Sequence, residues 1–94
     1  MIKLSVLYPK TEGAAFDHDY YRDRHVPLCQ STFQPTRVEI DRGVDGPYVA
    51  AVHFFFPSLD ALQAAMVGEG TEAVTGDVAN YTTITPVMQV SEVV

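Results

Sequence analysis

The chain has 94 residues, enough for one hydrophobic core and too few for two, so residues 1–94 read as one domain. Hydrophobic residues make up 47% and charged residues 19%, with no low-complexity tract or internal repeat, which excludes a disordered chain and a solenoid. Twelve acidic against six basic residues give a formal charge of −6, and the basic residues form no run, so a nucleic-acid partner is excluded as well.

In chain order, Ile2, Leu4, Val6 and Tyr8 alternate with Lys3, Ser5 and Leu7, the period of a β-strand that Pro9 ends. A loop through Gly13 leads to Asp17, a suitable N-cap for a helix over DHDYYRDRHVPLC. The run TRVEIDRG and the run YVAAVHFFF, joined by the turn residues VDGP, predict a β-hairpin. Pro57 and Ser58 open a second helix, SLDALQAAM, which Gly68 and Gly70 stop, and TEAVTG adds a further turn. The polar loop DVANYT then precedes a last strand over TITPVMQVSEVV.

The order β-α-β-β-α-β predicts an α+β chain of ferredoxin-like topology, a four-stranded antiparallel sheet with both helices on one face. Two helices leave the other face bare, yet the third strand is apolar on both sides, so a homodimer formed through the sheet faces is expected. No segment reaches the ~20 apolar residues that span a bilayer, and the opening is too short for a signal-peptide core. Cys29 is the only cysteine. A cytoplasmic protein without membrane contact is the expectation.

At about 100° per residue, only one arc of the first helix is free of formal charge; it holds Leu28, Tyr21, His25, His18 and Cys29. That arc should face the sheet, with His25 buried near its middle. Pro27 withdraws an N–H from the carbonyl of Asp23 and should bend the helix, opening a space beside His25. Such a histidine is a candidate general acid or base, assisted by a phenol such as Tyr21 or Tyr81, on a hydrophobic organic molecule. A core histidine bonded to a backbone carbonyl in a filled interior fits the same pattern. Metal binding by His18 and His25 does not, because seven helical residues separate them by about 10 Å. A Cys29–His25 nucleophilic pair has the right spacing but no oxyanion donor nearby. Neither a nucleotide loop nor any other cofactor motif is present, and no cofactor is expected.

The opening LSVLYP, the element FDHDYYRDRHVPL, HFFFPSLDALQAA, GDVANYT and the closing TPVMQVSEV together resemble the EthD (ethyl tert-butyl ether degradation) family of the dimeric α/β-barrel superfamily. The resemblance runs nearly end to end. It implies a dimeric α/β barrel and a ligand held between helices and sheet. It also implies cofactor-free chemistry of the monooxygenase, cyclase, dehydratase or isomerase kind, or a non-catalytic accessory role beside an oxygenase system. Carried onto this chain, it makes His25 and Tyr21 the candidate catalytic residues. Leu28, His53, Asp77, Asn80 and Tyr81 become candidate substrate contacts.

Overall fold

A computed structural model describes all 94 residues, with no cis peptide bond. Four strands, β1 (Ile2–Pro9), β2 (Arg37–Arg42), β3 (Tyr48–Phe56) and β4 (Val87–Glu92), form one antiparallel sheet in the order β2-β3-β1-β4. β1 and β3 are therefore central, and their alternation sets the layers. Leu4, Val6 and Tyr8 of β1 stand opposite Phe54, Val52 and Ala50 of β3, all of them in the buried cluster under the helices. Each fully buried aliphatic or aromatic side chain there contributes roughly 1.5–3 kcal/mol.

The first helix is not a continuous α-helix. An α-helical turn, α1 (His18–Tyr20), passes into a π-helical turn over Tyr21–His25 and then into α2 (Val26–Phe33). Asp17 caps it as expected, its side chain accepting from the Tyr20 N–H at 3.0 Å. The π turn has a cause in the sequence. In a regular helix the Pro27 ring would strike the carbonyl of Asp23, which would also lose its donor. Here the Val26 N–H bonds the Tyr21 carbonyl, one residue further back than in an α-helix. This wider turn puts Pro27 in the first turn of α2, where no N–H is required. The expected bend is thus resolved as a change of helical register, and the helix runs on past Cys29 to Phe33. It ends at Gln34, in the left-handed conformation with φ 51°, just before Pro35.

The second helical region is broken, as Gly68 and Gly70 foretell, into α3 (Leu59–Met66) and α4 (Thr71–Asp77), followed by a 3₁₀ turn at Val78–Asn80. Ser58 caps α3 by accepting from the Ala61 N–H at 3.2 Å. β4 begins only at Val87, four residues later than the predicted strand. Thr82 instead bridges Phe16, and the Asp17 N–H bonds the Tyr81 carbonyl at 2.8 Å. These contacts pin the 77–82 segment against the start of the first helix.

The bare face is less apolar than β3 alone suggests. Phe55 and Ala51 do lie there, but alternation gives β1 Lys3, Ser5 and Leu7, and gives β2 Arg37, Glu39 and Asp41. Only β3 approaches being apolar on both sides. Arg37 covers Phe55, its guanidinium 4.2 Å from the ring centre. No helix is long and apolar enough to cross a membrane.

Candidate functional site

The charge-free arc of the first helix faces inward: Tyr21, His25 and Cys29 are buried, while Leu28 is half-buried. Beneath it, between the helices and the β1–β3 side of the sheet, lies a cavity of about 350 Å³, within the range of small-molecule sites. Its wall is mostly apolar, with Val52, Phe54, Val74 and Ile84 among its members. His25 lines it, and so do Tyr8 and Cys29. Met88 of β4 forms part of the wall while itself 64% exposed, so the cavity meets the surface along the β4 edge.

His25 is only 4% exposed, and its Nδ1 lies 2.9 Å from Asp77 Oδ2. An ionised carboxylate only accepts, so the pairing places the proton on Nδ1 and leaves the Nε2 lone pair free. The protein supplies no partner to Nε2, nor is that atom sealed from access, and the ring borders the cavity. Asp77 is held by two further groups. Its Oδ1 accepts from the Tyr20 hydroxyl at 2.7 Å and from Asn80 Nδ2 at 2.9 Å. The sequence thus builds an orienting carboxylate at the end of α4, fixes it from the α1 side and the 3₁₀ turn, and aims an imidazole into an apolar space.

Electrostatics agree with that arrangement. Burial lowers the pKa of His25 below the ordinary 6.5, against the hydrogen bond and charge of Asp77, which pull it up. Burial likewise works to raise the Asp77 carboxyl, but its bonds from Asn80, Tyr20 and His25 outweigh this and leave it lowered. His25 is consequently a neutral imidazole beside an ionised carboxylate at neutral pH. Burial pushes the Cys29 thiol up to about 12, so it is protonated and a poor nucleophile.

A cluster of phenols adjoins the histidine. The Tyr81 and Tyr21 rings lie 4.5 Å and 5.6 Å from the His25 ring between centres. The Tyr8 and Tyr81 hydroxyls are 2.6 Å apart. The Tyr21 hydroxyl is buried without a hydrogen-bond partner. Burial raises all three phenols, Tyr21 and Tyr81 far above the ordinary value.

Of the residues expected from sequence, His25, Tyr21, Asp77, Asn80 and Tyr81 are brought together around the imidazole. Only His25 of these borders the cavity. Leu28 packs against the core beside it. His53 is elsewhere: strand alternation puts it on the bare face, between Ser5 Oγ at 2.7 Å and Asp41 Oδ2 at 2.9 Å, so it does not reach the cavity. Tyr8 and Tyr20 were not singled out by sequence. Tyr8 reads there only as a strand residue, and Tyr20 only as a neighbour of Tyr21; the sole prior signal was the density of phenols.

No family model matches the chain, and no curated protein matches it significantly. Solved structures do. An EthD-like protein from Ralstonia eutropha JMP134 is 43% identical, with a TM-score of 0.90 over 99% of this chain and 91% of that one. An ethyl tert-butyl ether (EthD) family protein from Bacillus halodurans C-125 is 20% identical, with a TM-score of 0.79 over 100% and 99% of the two chains. A dimeric protein of unknown function and ferredoxin-like fold from Bacteroides fragilis NCTC 9343 is 11% identical, with a TM-score of 0.58 over 98% and 95%. The last two likenesses speak for the fold alone; the identity and coverage of the first establish that this chain belongs to the EthD-like family.

Proposed function

We propose that the protein binds a hydrophobic organic molecule between the first helix and the sheet and moves a proton on it, without a cofactor, through His25. The observation that carries this reading is a carboxylate-oriented, neutral imidazole with a free Nε2 at the wall of an apolar cavity. A general base needs an available lone pair, a pKa near or below the working pH and reach to the substrate. Asp77 fixes the tautomer and would stabilise the imidazolium while it holds the proton. Asn80 and Tyr20 keep Asp77 in place, while Tyr21 stacks on the imidazole and Tyr81 packs against it at a tilt. In this reading Leu28 supports the helix rather than touching the ligand.

The reading extends to a homodimer formed through the bare sheet face, where Leu7, Ala51 and Val87 stand side by side across three strands, apolar area of the kind a partner covers.

Naphthalene, an apolar probe of suitable size, tests the site when titrated into ¹⁵N-labelled protein. Amide shifts should cluster at Cys29, Val52, Val74 and Ile84, with the His25 ring moving too. Shifts confined to the bare sheet face would refute the cavity as the binding site. An accessory, non-catalytic role is separated by α-proton exchange of an enolisable ketone, 2-acetylnaphthalene, in D₂O. Catalysed exchange that His25→Ala abolishes supports proton transfer; binding without exchange leaves only ligand carriage.

A further inference from the structure

Tyr8 occupies the cavity wall, and nothing in the proton-transfer reading uses it. Its hydroxyl and that of Tyr81 are 2.6 Å apart, yet one hydrogen bond between two hydroxyls consumes one of their two protons. Tyr81 does not border the cavity, whereas Tyr8 does. If Tyr81 donates, its proton is used and the Tyr8 proton is free to point at an occupant. The third phenol, Tyr21, 1% exposed, has its ring 5.4 Å from that of Tyr8 between centres and its hydroxyl without a partner. Three buried phenols thus share one hydrogen bond, and the protein offers no acceptor for the rest. A buried polar group left unpaired is costly, and of the two unused protons only that of Tyr8, at the cavity wall, can be met by an acceptor oxygen entering there.

We infer that Tyr8 is an oxyanion-stabilising donor for a carbonyl ligand, with Tyr81 positioning it, and that the occupant is an apolar, enolisable carbonyl compound. The inference rests on the cavity and His25 reading above and names its substrate class. An accepting Tyr8 that also donates is polarised by the phenol behind it, which strengthens its own donated bond. The rise in the Tyr8 pKa caused by burial is opposed by the hydrogen bond with Tyr81, the behaviour of a hydroxyl that receives from that neighbour. No charged side chain other than the His25–Asp77 pair adjoins the apolar wall, so a carboxylate or phosphate ligand would be buried unpaired. A carbonyl needs only a donor.

The resulting step balances. The C–H bond α to the carbonyl breaks, its proton passes to His25 Nε2, and the electron pair moves into a new C–C π bond as the carbonyl oxygen takes the negative charge. The Tyr8 hydroxyl donates to that oxygen. Return of the proton from His25 to carbon restores the neutral imidazole. At the packing density of protein interiors, the cavity suits a ligand on the order of a dozen non-hydrogen atoms.

The test uses 2-acetylnaphthalene and naphthalene on the full chain. In wild-type protein the bound ketone's carbonyl stretch should lie at lower wavenumber than in hexane. Tyr8→Phe should return it towards the hexane value and slow the ketone's α-proton exchange by roughly a hundredfold, while amide shifts induced by naphthalene at Cys29, Val52, Val74 and Ile84 show that the variant's cavity still admits an apolar molecule. Tyr81→Phe should give a smaller shift in the same direction, the mark of a group acting through Tyr8. The wild-type measurement alone decides if the variants misfold. A bound ketone with an unshifted stretch overturns this inference and leaves the cavity reading intact. Failure of both probes to bind overturns the two together.

Discussion

At the scale of single residues, the tautomer of His25 is the feature on which the proposed chemistry turns. Asp77 accepts, so Nδ1 carries the proton and Nε2 keeps its lone pair. Asp77→Asn keeps size and shape but offers an amide N–H to Nδ1, which would move the proton to Nε2 and remove the lone pair from the cavity. The expected outcome is a folded protein whose imidazole ¹⁵N shifts exchange their assignments in long-range ¹H–¹⁵N spectra, with α-proton exchange of 2-acetylnaphthalene slowed roughly a thousandfold or more. Unchanged nitrogen shifts would dissociate Asp77 from the tautomer. The pH dependence follows from the lowered pKa of His25. As pH falls through 6.5 the unfolded chain takes up a proton that the folded chain does not, so stability is full above 6.5 and declines below it. The rate of exchange should hold to a lower pH than an ordinary histidine would allow. The inward-facing histidine was readable from the spacing of charges along the first helix. Its carboxylate partner, 52 residues away in sequence, was not, because only the packing of α4 beside the first helix brings it within reach; sequence marked Asp77 as a site residue without giving it this role.

At the scale of elements, each departure from the sequence-based expectation has a local cause. Pro27 predicts trouble in the helix, but not which remedy the chain takes; the choice of a π turn over a kink depends on where Tyr21 and His25 must pack. The predicted last strand started too early because Thr83, Ile84 and Thr85 have strand-like character, while the Ile84 N–H bonds the Thr82 hydroxyl, itself held by the Ala15 carbonyl, rather than β1. The β2–β3 hairpin was legible from VDGP, and its closure shows how tight such a turn can be. The Gly43 N–H bonds the Val49 carbonyl at 2.7 Å, and a Cβ on Gly43 would sit 2.1 Å from the carbonyl oxygen of Tyr48. Backbone cannot move aside as a side-chain tip does. Gly43→Ala should therefore destabilise the fold by about 1–3 kcal/mol, read as a lower urea midpoint. Gly76→Ala serves as contrast: its added carbon meets nothing within 4 Å and its φ is not positive. A midpoint unaffected by Gly43→Ala would mean that the hairpin opens at little cost.

At the scale of the whole molecule, the sheet presents one covered and one bare face, and the two are used differently. The covered face holds the cavity, so the proposed ligand site lies within a single chain. The bare face, proposed above as the dimer surface, is less apolar than the β3 sequence suggested, since β1 and β2 bring Ser5, Glu39 and Asp41 to it. Parity along one strand could not reveal what neighbouring strands place beside it. Pairing such a face is still favourable if its polar groups are already satisfied. The Ser5–His53–Asp41 chain meets that condition, with both ring nitrogens bonded within the subunit. Leu7 stands on the bare face, with Ala51 on one side of it and Val87 on the other, so a carboxylate introduced there would be buried by pairing but solvated in the monomer. Sedimentation equilibrium at micromolar concentration should give a dimer for the wild type and a monomer for Leu7→Glu, with the far-ultraviolet circular dichroism of the two alike. A charge without a partner costs several kcal/mol on burial, enough to dissociate a complex of ordinary affinity. Because the cavity lies on the covered side of the sheet, away from Leu7, Leu7→Glu should retain naphthalene binding. A wild type that sediments as a monomer would remove the bare face as an interface, whereas a monomeric Leu7→Glu that has lost the probe would show instead that pairing shapes the cavity.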